Sequence, residues 1–316
     1  MQKIPQVDLN DFLSDDFEKK EKFVKKIGQG FSEIGFIAVK NHLLIDDIKD
    51  ELYAQIKMFF GLSEKEKSAY IIKGLASQRG FTPLGKEHAK GRSAGDLKEF
   101  WHWGQFVENE EKLLKAYPDN VMVKELPRFN DIGKLTYKLL EKTGKHILRA
   151  ISLYLSLSEN YFDKHIYNGN SILRSIHYPP ITQEPLEAER AAAHGDINLI
   201  TLLMGAEGKG LQVLTNSGEW IDAIAEKDEV MVNIGDMLSR HTNNKLKSTI
   251  HRVVNPHKEM WSTSRYSIPF FMHPVSEMKL NVLESCICEE YPKSFDDITA
   301  GEFLNERLVE LGLLKK

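Results

Sequence analysis

The spacing of apolar residues changes character about halfway along the chain. In the first half it is mostly helical. Phe17, Val24, Ile27, Phe31 and Ile34 recur at helical spacing and predict an amphipathic helix, which Gly35 can end. Ile4 to Asp8 before it and Phe36 to Val39 after it read as short strands, and a second helix is predicted over about Asp46 to Phe60. Gln78 to Gly104 contains glycines and mixed polarity, and reads as loop and irregular strand. Ile132, Leu135, Leu139, Ile147, Ile151 and Leu155 then give an apolar face to a long helix over about Asn130 to Leu157, with Gly144 as a candidate break or bend.

From Ser171 onward the period falls to two. Ser171–Tyr178, Leu199–Met204, Leu211–Leu214, Trp220–Ile224, Val230–Ile234, Thr249–Val254 and Tyr266–Met272 are short strand-like runs separated by turn signals such as Pro179-Pro180, Asn216-Ser217-Gly218 and Asn255-Pro256. Many short strands with regular turns predict a sandwich or barrel. Ala300 to Leu311 reads as an amphipathic tail helix. The expected fold class is α+β, a jelly-roll core flanked by helices from the N-terminal region. The expected division is an N-terminal region of helices and short strands (1–125), a helical support (126–168), the jelly-roll core (169–280) and a C-terminal strand and helix (281–316).

Composition narrows the function classes. The chain has 316 residues, 41% hydrophobic and 28% charged, which argues for a folded protein with a large core. A net charge of -4 and the lack of a basic cluster interleaved with aromatics give no reason to expect nucleic acid as a partner. No apolar run approaches the roughly 20 residues needed to cross a bilayer, so no membrane partner is expected. The N-terminal residues lack a signal-peptide core, and a cytoplasmic location is expected. The two cysteines, Cys286 and Cys288, are separated by one residue and read as reduced thiols on or beside a strand.

The segment Ala191-Ala192-Ala193-His194-Gly195-Asp196 contains His-x-Asp. Residues two apart on an extended segment point the same way, so both side chains can reach one metal. His251, in the run Thr249–Val254, can join them if an antiparallel sheet sets the two segments side by side. Two imidazoles and one carboxylate leave three octahedral positions open, the arrangement used by non-haem Fe(II) oxygenases. Two of these suit a bidentate 2-oxo acid and one suits O2. Taken alone, His-x-Asp is a weak signal that arises by chance.

The surrounding residues strengthen it. His194-Gly195-Asp196, Leu199-Ile200-Thr201-Leu202-Leu203, Gly210-Leu211-Gln212-Val213, Val232-Asn233-Ile234-Gly235-Asp236, Thr242-Asn243, Ser248-Thr249-Ile250-His251-Arg252-Val253 and Arg265-Tyr266-Ser267 follow one another in this order. In these residues the chain resembles the isopenicillin N synthase-like branch of the 2-oxoglutarate/Fe(II)-dependent dioxygenases. Ile4-Pro5-Gln6-Val7-Asp8-Leu9, Gly35-Phe36-Ile37-Ala38-Val39 and Asp96-Leu97-Lys98-Glu99 extend the likeness to the N-terminal region.

The resemblance implies a double-stranded β-helix. It implies that His194, Asp196 and His251 bind Fe(II), and that Arg265, Ser267 and Tyr178 contact 2-oxoglutarate. It also implies that O2 is consumed while a small-molecule substrate is hydroxylated, desaturated or cyclised. A guanidinium is suited to holding the cosubstrate, because its planar fork matches a carboxylate. One departure is Ile176, where many relatives carry Asn two positions before the tyrosine.

Other readings remain at this level. One is an Fe(II) oxidase that uses O2 without 2-oxoglutarate. Another is a non-catalytic metal-binding sensor on the same barrel, and a third is a zinc hydrolase. Arg174 shares a strand face with Ile176 and Tyr178. It is expected either to bind a carboxylate of substrate or cosubstrate, or to pair with a neighbouring Glu or Asp. Phe100, Trp101 and Trp103 read either as an apolar wall of the pocket or as core, and His102 as a surface or satisfied residue.

Overall fold

The structure is a computed structural model that describes residues 3–75, 77–87, 95–107, 117–185, 188–207 and 210–310. Twelve strands among these residues form two sheets. They are β1 (Gln6–Asp8), β2 (Phe36–Lys40), β3 (Gly80–Thr82), β4 (Glu99–Trp103), β5 (Ile172–Tyr178), β6 (Ala191–His194), β7 (Ile200–Glu207), β8 (Leu211–Leu214), β9 (Trp220–Asp222), β10 (Glu229–Ile234), β11 (His251–Val253) and β12 (Arg265–Met272). The large sheet runs β1-β2-β10-β7-β12-β5-β4-β3 and the small one β6-β11-β8-β9. Of the strand pairs formed by the described residues, β1–β2 is parallel and the others are antiparallel.

The two sheets face each other across an apolar interior. The large sheet supplies Phe36, Ala38, Phe100, Ile176, Tyr178 and Met231, and the small sheet supplies Ala191, Leu211, Val213 and Val253. Strand alternation explains the division of labour. Phe100 points inward between the sheets, while Trp101 and Trp103 point outward and pack with Phe59 and Phe129. The two tryptophans are therefore core, and the inner face belongs to Phe100 and His102.

Helices cover the outer face of the large sheet. These are α1 (Leu9–Leu13), α2 (Phe17–Glu33), α3 (Asp46–Phe60), α4 (Glu64–Ser68), α5 (Pro127–Tyr154) and α6 (Asp163–Ile166). Ordinary cap chemistry sets their ends. Asp16 caps α2 through the Lys19 N–H, and Ser63 closes a capping box with Glu66 on α4. Gly35, at φ 78°, turns the chain out of α2 into β2, a conformation that a Cβ would strain.

Helix α5 runs through Gly144 without a break. The glycine serves a close approach instead: a Cβ there would lie 2.5 Å from the sulfur of Met272 on β12. Two later helices are α7 (Asp236–His241) and α8 (Ala300–Glu310). Between β12 and α8 the described chain makes a single 3-10 turn at Glu284–Cys286 and an isolated Lys279–Thr299 bridge, not the strand expected there. Cys286, free and buried, lies in that turn, and Cys288 is free and exposed.

The strands of the N-terminal third lie at both edges of the large sheet. β2 pairs with β10, and β4 pairs with β5. No helix among the described residues is long and apolar enough to cross a membrane.

Candidate metal centre and flanking cavities

His194 ends β6 and His251 begins β11, and antiparallel pairing sets the two residues directly opposite each other. The imidazole centroids lie 4.5 Å apart. Asp196 follows two residues after His194, and one potential ligand atom from each of the three lies within 4.8 Å of the others. His-x-Asp and the distant histidine therefore converge, as the spacing predicts.

The hydrogen bonds around these groups leave one donor atom free on each. His194 Nδ1 is 2.7 Å from the Ala192 carbonyl, and His251 Nδ1 is 3.2 Å from the Thr249 carbonyl. A carbonyl only accepts, so each Nδ1 donates its N–H, and each Nε2 is the ring nitrogen left to face a metal. Asp196 Oδ2 accepts from Thr201 Oγ1 at 2.6 Å and from Asn233 Nδ2 at 2.8 Å. Its Oδ1 faces His251 Nε2 at 3.9 Å.

Protonation agrees with this arrangement. Burial, then the neighbouring His251, lowers the His194 pKa to about 4. Burial opposes ionisation of Asp196, but His251, His194 and the two hydrogen bonds outweigh it and hold the carboxyl below its usual value. Two ring nitrogens and one carboxylate oxygen form a donor set suited to a divalent first-row metal with open positions.

One cavity opens onto the centre, and a second lies beside Arg265. The larger, about 420 Å³, is lined by His194, Asp196, Ile172, Arg174, Phe271, His273 and residues of α8. The smaller, about 210 Å³, is lined by Leu203, Leu211, Ala223, Met231 and Arg265 among others. Arg265 is 2% exposed, and neither Nε nor Nη1 has a partner among the described residues. Its guanidinium lies 4.9 Å from the ring centre of Tyr178, which is its cross-strand neighbour. Ser267, buried, pairs with Ile176 one step further along the same two strands. Arg265, Ser267 and Tyr178 are thus brought together.

Sequence reasoning does not single out Arg190. It is 4% exposed, its Nε has no partner among the described residues, and its guanidinium lies 5.8 Å from the Tyr178 ring. Burial and then Arg265 lower its pKa. A basic residue four positions before His194 is visible in the sequence, but its orientation is not.

Arg174 lines the larger cavity, not the one beside Arg265. Its Nη1 and Nη2 meet Glu87 at 3.1 and 3.2 Å, so of the two expectations for it, the pair with a neighbouring carboxylate is formed. Its Nε donates to His102 Nε2 at 2.6 Å, and His102 Nδ1 meets the Ser77 carbonyl at 2.7 Å. Burial, then Arg174, pushes the His102 pKa well down, which keeps that ring neutral. Lys98 completes the group with contacts to Glu87 at 2.8 Å and Asp96 at 2.7 Å.

A jelly roll with a three-atom donor set, and a buried arginine that has no counter-ion among the described residues, is the frame expected of a metal-dependent oxygenase. Comparison with known proteins agrees. Residues 4–125 match the family described as non-haem dioxygenase in morphine synthesis N-terminal, and residues 169–274 match the 2OG-Fe(II) oxygenase superfamily. A solved protein of the 2OG-Fe(II) oxygenase family from Caulobacter crescentus is 39% identical over 98% of this chain and 100% of its own, with a TM-score of 0.88. A full-length Neurospora crassa protein solved in complex with alpha-KG is 30% identical, covers 97% of this chain and 95% of its own, and has a TM-score of 0.85. The 2-oxoglutarate-Fe(II) type oxidoreductase hxnY of Emericella nidulans is 29% identical over 95% of this chain and 89% of its own. The chain belongs to the 2OG-Fe(II) oxygenase superfamily. It has the double-stranded β-helix core, and it is an oxygenase dependent on Fe(II) and 2-oxoglutarate, with O2 as the other cosubstrate.

Proposed function

We propose that His194, Asp196 and His251 hold the ferrous ion and that Arg265, with Ser267 and Tyr178, takes the distal carboxylate of 2-oxoglutarate. The cavity of about 420 Å³ then receives a small organic molecule for oxidation. One observation carries the reading: three potential ligand atoms lie within 4.8 Å, with Nδ1 of both histidines and Oδ2 of Asp196 already engaged.

Iron bound with 2-oxoglutarate and O2 supplies the oxidant, as the cosubstrate is decarboxylated to succinate. The chain supplies position and dryness. The carbonyls of Ala192 and Thr249 fix the two rings, and Thr201 and Asn233 anchor one carboxylate oxygen so that the other is presented to the metal. Arg265 sets the orientation of the cosubstrate, and Arg190 adds a second positive charge beside Tyr178. The apolar interior around Phe36, Leu211, Val213 and Met231 excludes water. No protein nucleophile is needed.

The substrate is a small molecule that fits between Phe271, Ile172 and helix α8. The Neurospora crassa protein has also been solved with alpha-KG and thymine, so small heterocycles are the first class to assay here. Anaerobic addition of Fe(II) and then 2-oxoglutarate should produce the weak visible charge-transfer band of a chelated 2-oxo acid. The band should vanish in His251→Ala. A wild-type protein without the band, or a variant that keeps it, refutes the assignment. Succinate release in a metabolite screen then identifies the substrate.

A further inference from the structure

The polar groups around the larger cavity fall into two sets. Arg174, His102, Glu87, Lys98 and Asp96 satisfy one another, with two cations set against two carboxylates. An entering molecule finds no uncompensated charge in that group.

His273 belongs to the other set. It lies just after β12, 9% exposed, in the same cavity wall as Phe271 and near enough to Asp196 to feel its charge. Its backbone is pinned, because the N–H donates to Ser171 Oγ at 3.1 Å and the carbonyl accepts from the same hydroxyl at 3.3 Å. Its ring has no hydrogen-bond partner among the described residues; Nδ1 is enclosed by the protein, which leaves Nε2 as the nitrogen able to meet a molecule in the cavity. Burial lowers its pKa to about 4, so near neutrality the ring carries one N–H and one lone pair. Buried polar groups are normally paired, and one left over in a binding cavity calls for a partner from outside the chain.

Resting on the oxygenase reading above, we propose that His273 recognises the primary substrate by a hydrogen bond to an uncharged amide, imide or hydroxyl group. The cavity therefore selects neutral polar molecules over carboxylates. The arrangement gives each element a part. Phe271 offers an aromatic surface two residues before His273 on the same wall, and the cations that line the cavity among the described residues are paired, Arg174 with Glu87, Lys98 with Glu87 and Asp96, and Arg307 with Glu310. A site that hydrogen-bonds its ligand also rejects analogues lacking the group, because the imidazole is then left unpaired.

The test is an equilibrium titration of the anaerobic Fe(II)–2-oxoglutarate holoenzyme, read by calorimetry and by perturbation of the charge-transfer band. Thymine and 2-pyrrolidone serve as neutral probes, and orotate as the carboxylate-bearing counterpart. The neutral probes should bind, and orotate should bind at least tenfold more weakly than thymine. His273→Phe should weaken the neutral probes at least tenfold, and His273→Gln should retain binding within about threefold. Both variants should still form the band with 2-oxoglutarate alone, so failure of this proposal is distinguishable from failure of the iron and cosubstrate assignment. Binding of the neutral probes to His273→Phe within twofold of wild type overturns the proposal. So does tighter binding of orotate, an equal loss in both variants, or no binding of either neutral probe.

Discussion

Replacing Arg265 with Met separates an anion-binding site from a structural ion pair, because the two readings predict stability changes that do not overlap. Arg265 is 2% exposed, with Nε and Nη1 unpartnered among the described residues. Leaving a buried polar group unsatisfied costs about 1–3 kcal/mol. Methionine, similar in length and apolar, removes that cost. It also removes the cation–π contact with Tyr178 at 4.9 Å, which offsets about 0.5–2 kcal/mol. The ligand-free variant should therefore lie between about 1 kcal/mol below and about 2.5 kcal/mol above the parent, a shift of at most a few degrees in Tm.

Cosubstrate binding should change far more. Two charge-assisted hydrogen bonds at about 1.5–3 kcal/mol each amount to about 3–6 kcal/mol, or roughly 10²- to 10⁴-fold in affinity. The assay is anaerobic thermal unfolding with Fe(II), with and without 2-oxoglutarate. At a ligand concentration of about 100 times Kd, the parent gains about 2.7 kcal/mol from ligand linkage, and the variant should gain almost none. If Arg265 instead held a structural carboxylate partner, its loss would destabilise the ligand-free protein by about 3–5 kcal/mol. A ligand-free loss above about 1 kcal/mol, or a preserved 2-oxoglutarate shift, would refute the reasoning.

Other consequences can be checked independently. Thr201→Val removes the 2.6 Å hydrogen bond to Asp196 Oδ2 and should weaken iron binding about 10- to 100-fold in a chelator competition, with little change in fold. Arg174→Gln should leave the KM for 2-oxoglutarate unchanged while altering the KM of the primary substrate, because Arg174 lines the larger cavity; a raised 2-oxoglutarate KM would place it at the cosubstrate. Burial lowers the His241 pKa to about 4, against about 6.5 in the unfolded chain. Between those values the unfolded state binds more protons, so stability is lost as pH falls from about 6.5 to 4. His241→Phe should flatten the pH dependence of denaturant-measured stability over that window, by up to about 1.4 kcal/mol per pH unit.

Much of the architecture is legible in local pattern. The period-two runs after Ser171 correspond to β5, β7, β8, β10 and β12, with ends displaced by a few residues at most, because alternation records which face each strand buries. Helix α3 begins and ends where apolar spacing places it, and α5 differs mainly in ignoring Gly144. His-x-Asp carries its own geometry, since side chains two apart on extended backbone point together. The order of the motifs alone points to the class of enzyme.

Partnership is not legible. Sequence reasoning puts Arg174 on the inner face but leaves its anion open. The choice of Glu87 depends on a chain segment 87 residues away reaching the same cavity wall. The same holds for His273, Arg190 and the contribution of α8 to the cavity. Periodicity is a property of neighbours along the backbone, so the chain alone determined which face of each element is apolar and where the His-x-Asp motif lies. A hydrogen bond or ion pair needs two groups within about 3 Å. Only sheet register and helix packing, set by the summed burial of the whole core, decided which polar side chains pair with one another and which wait for a ligand.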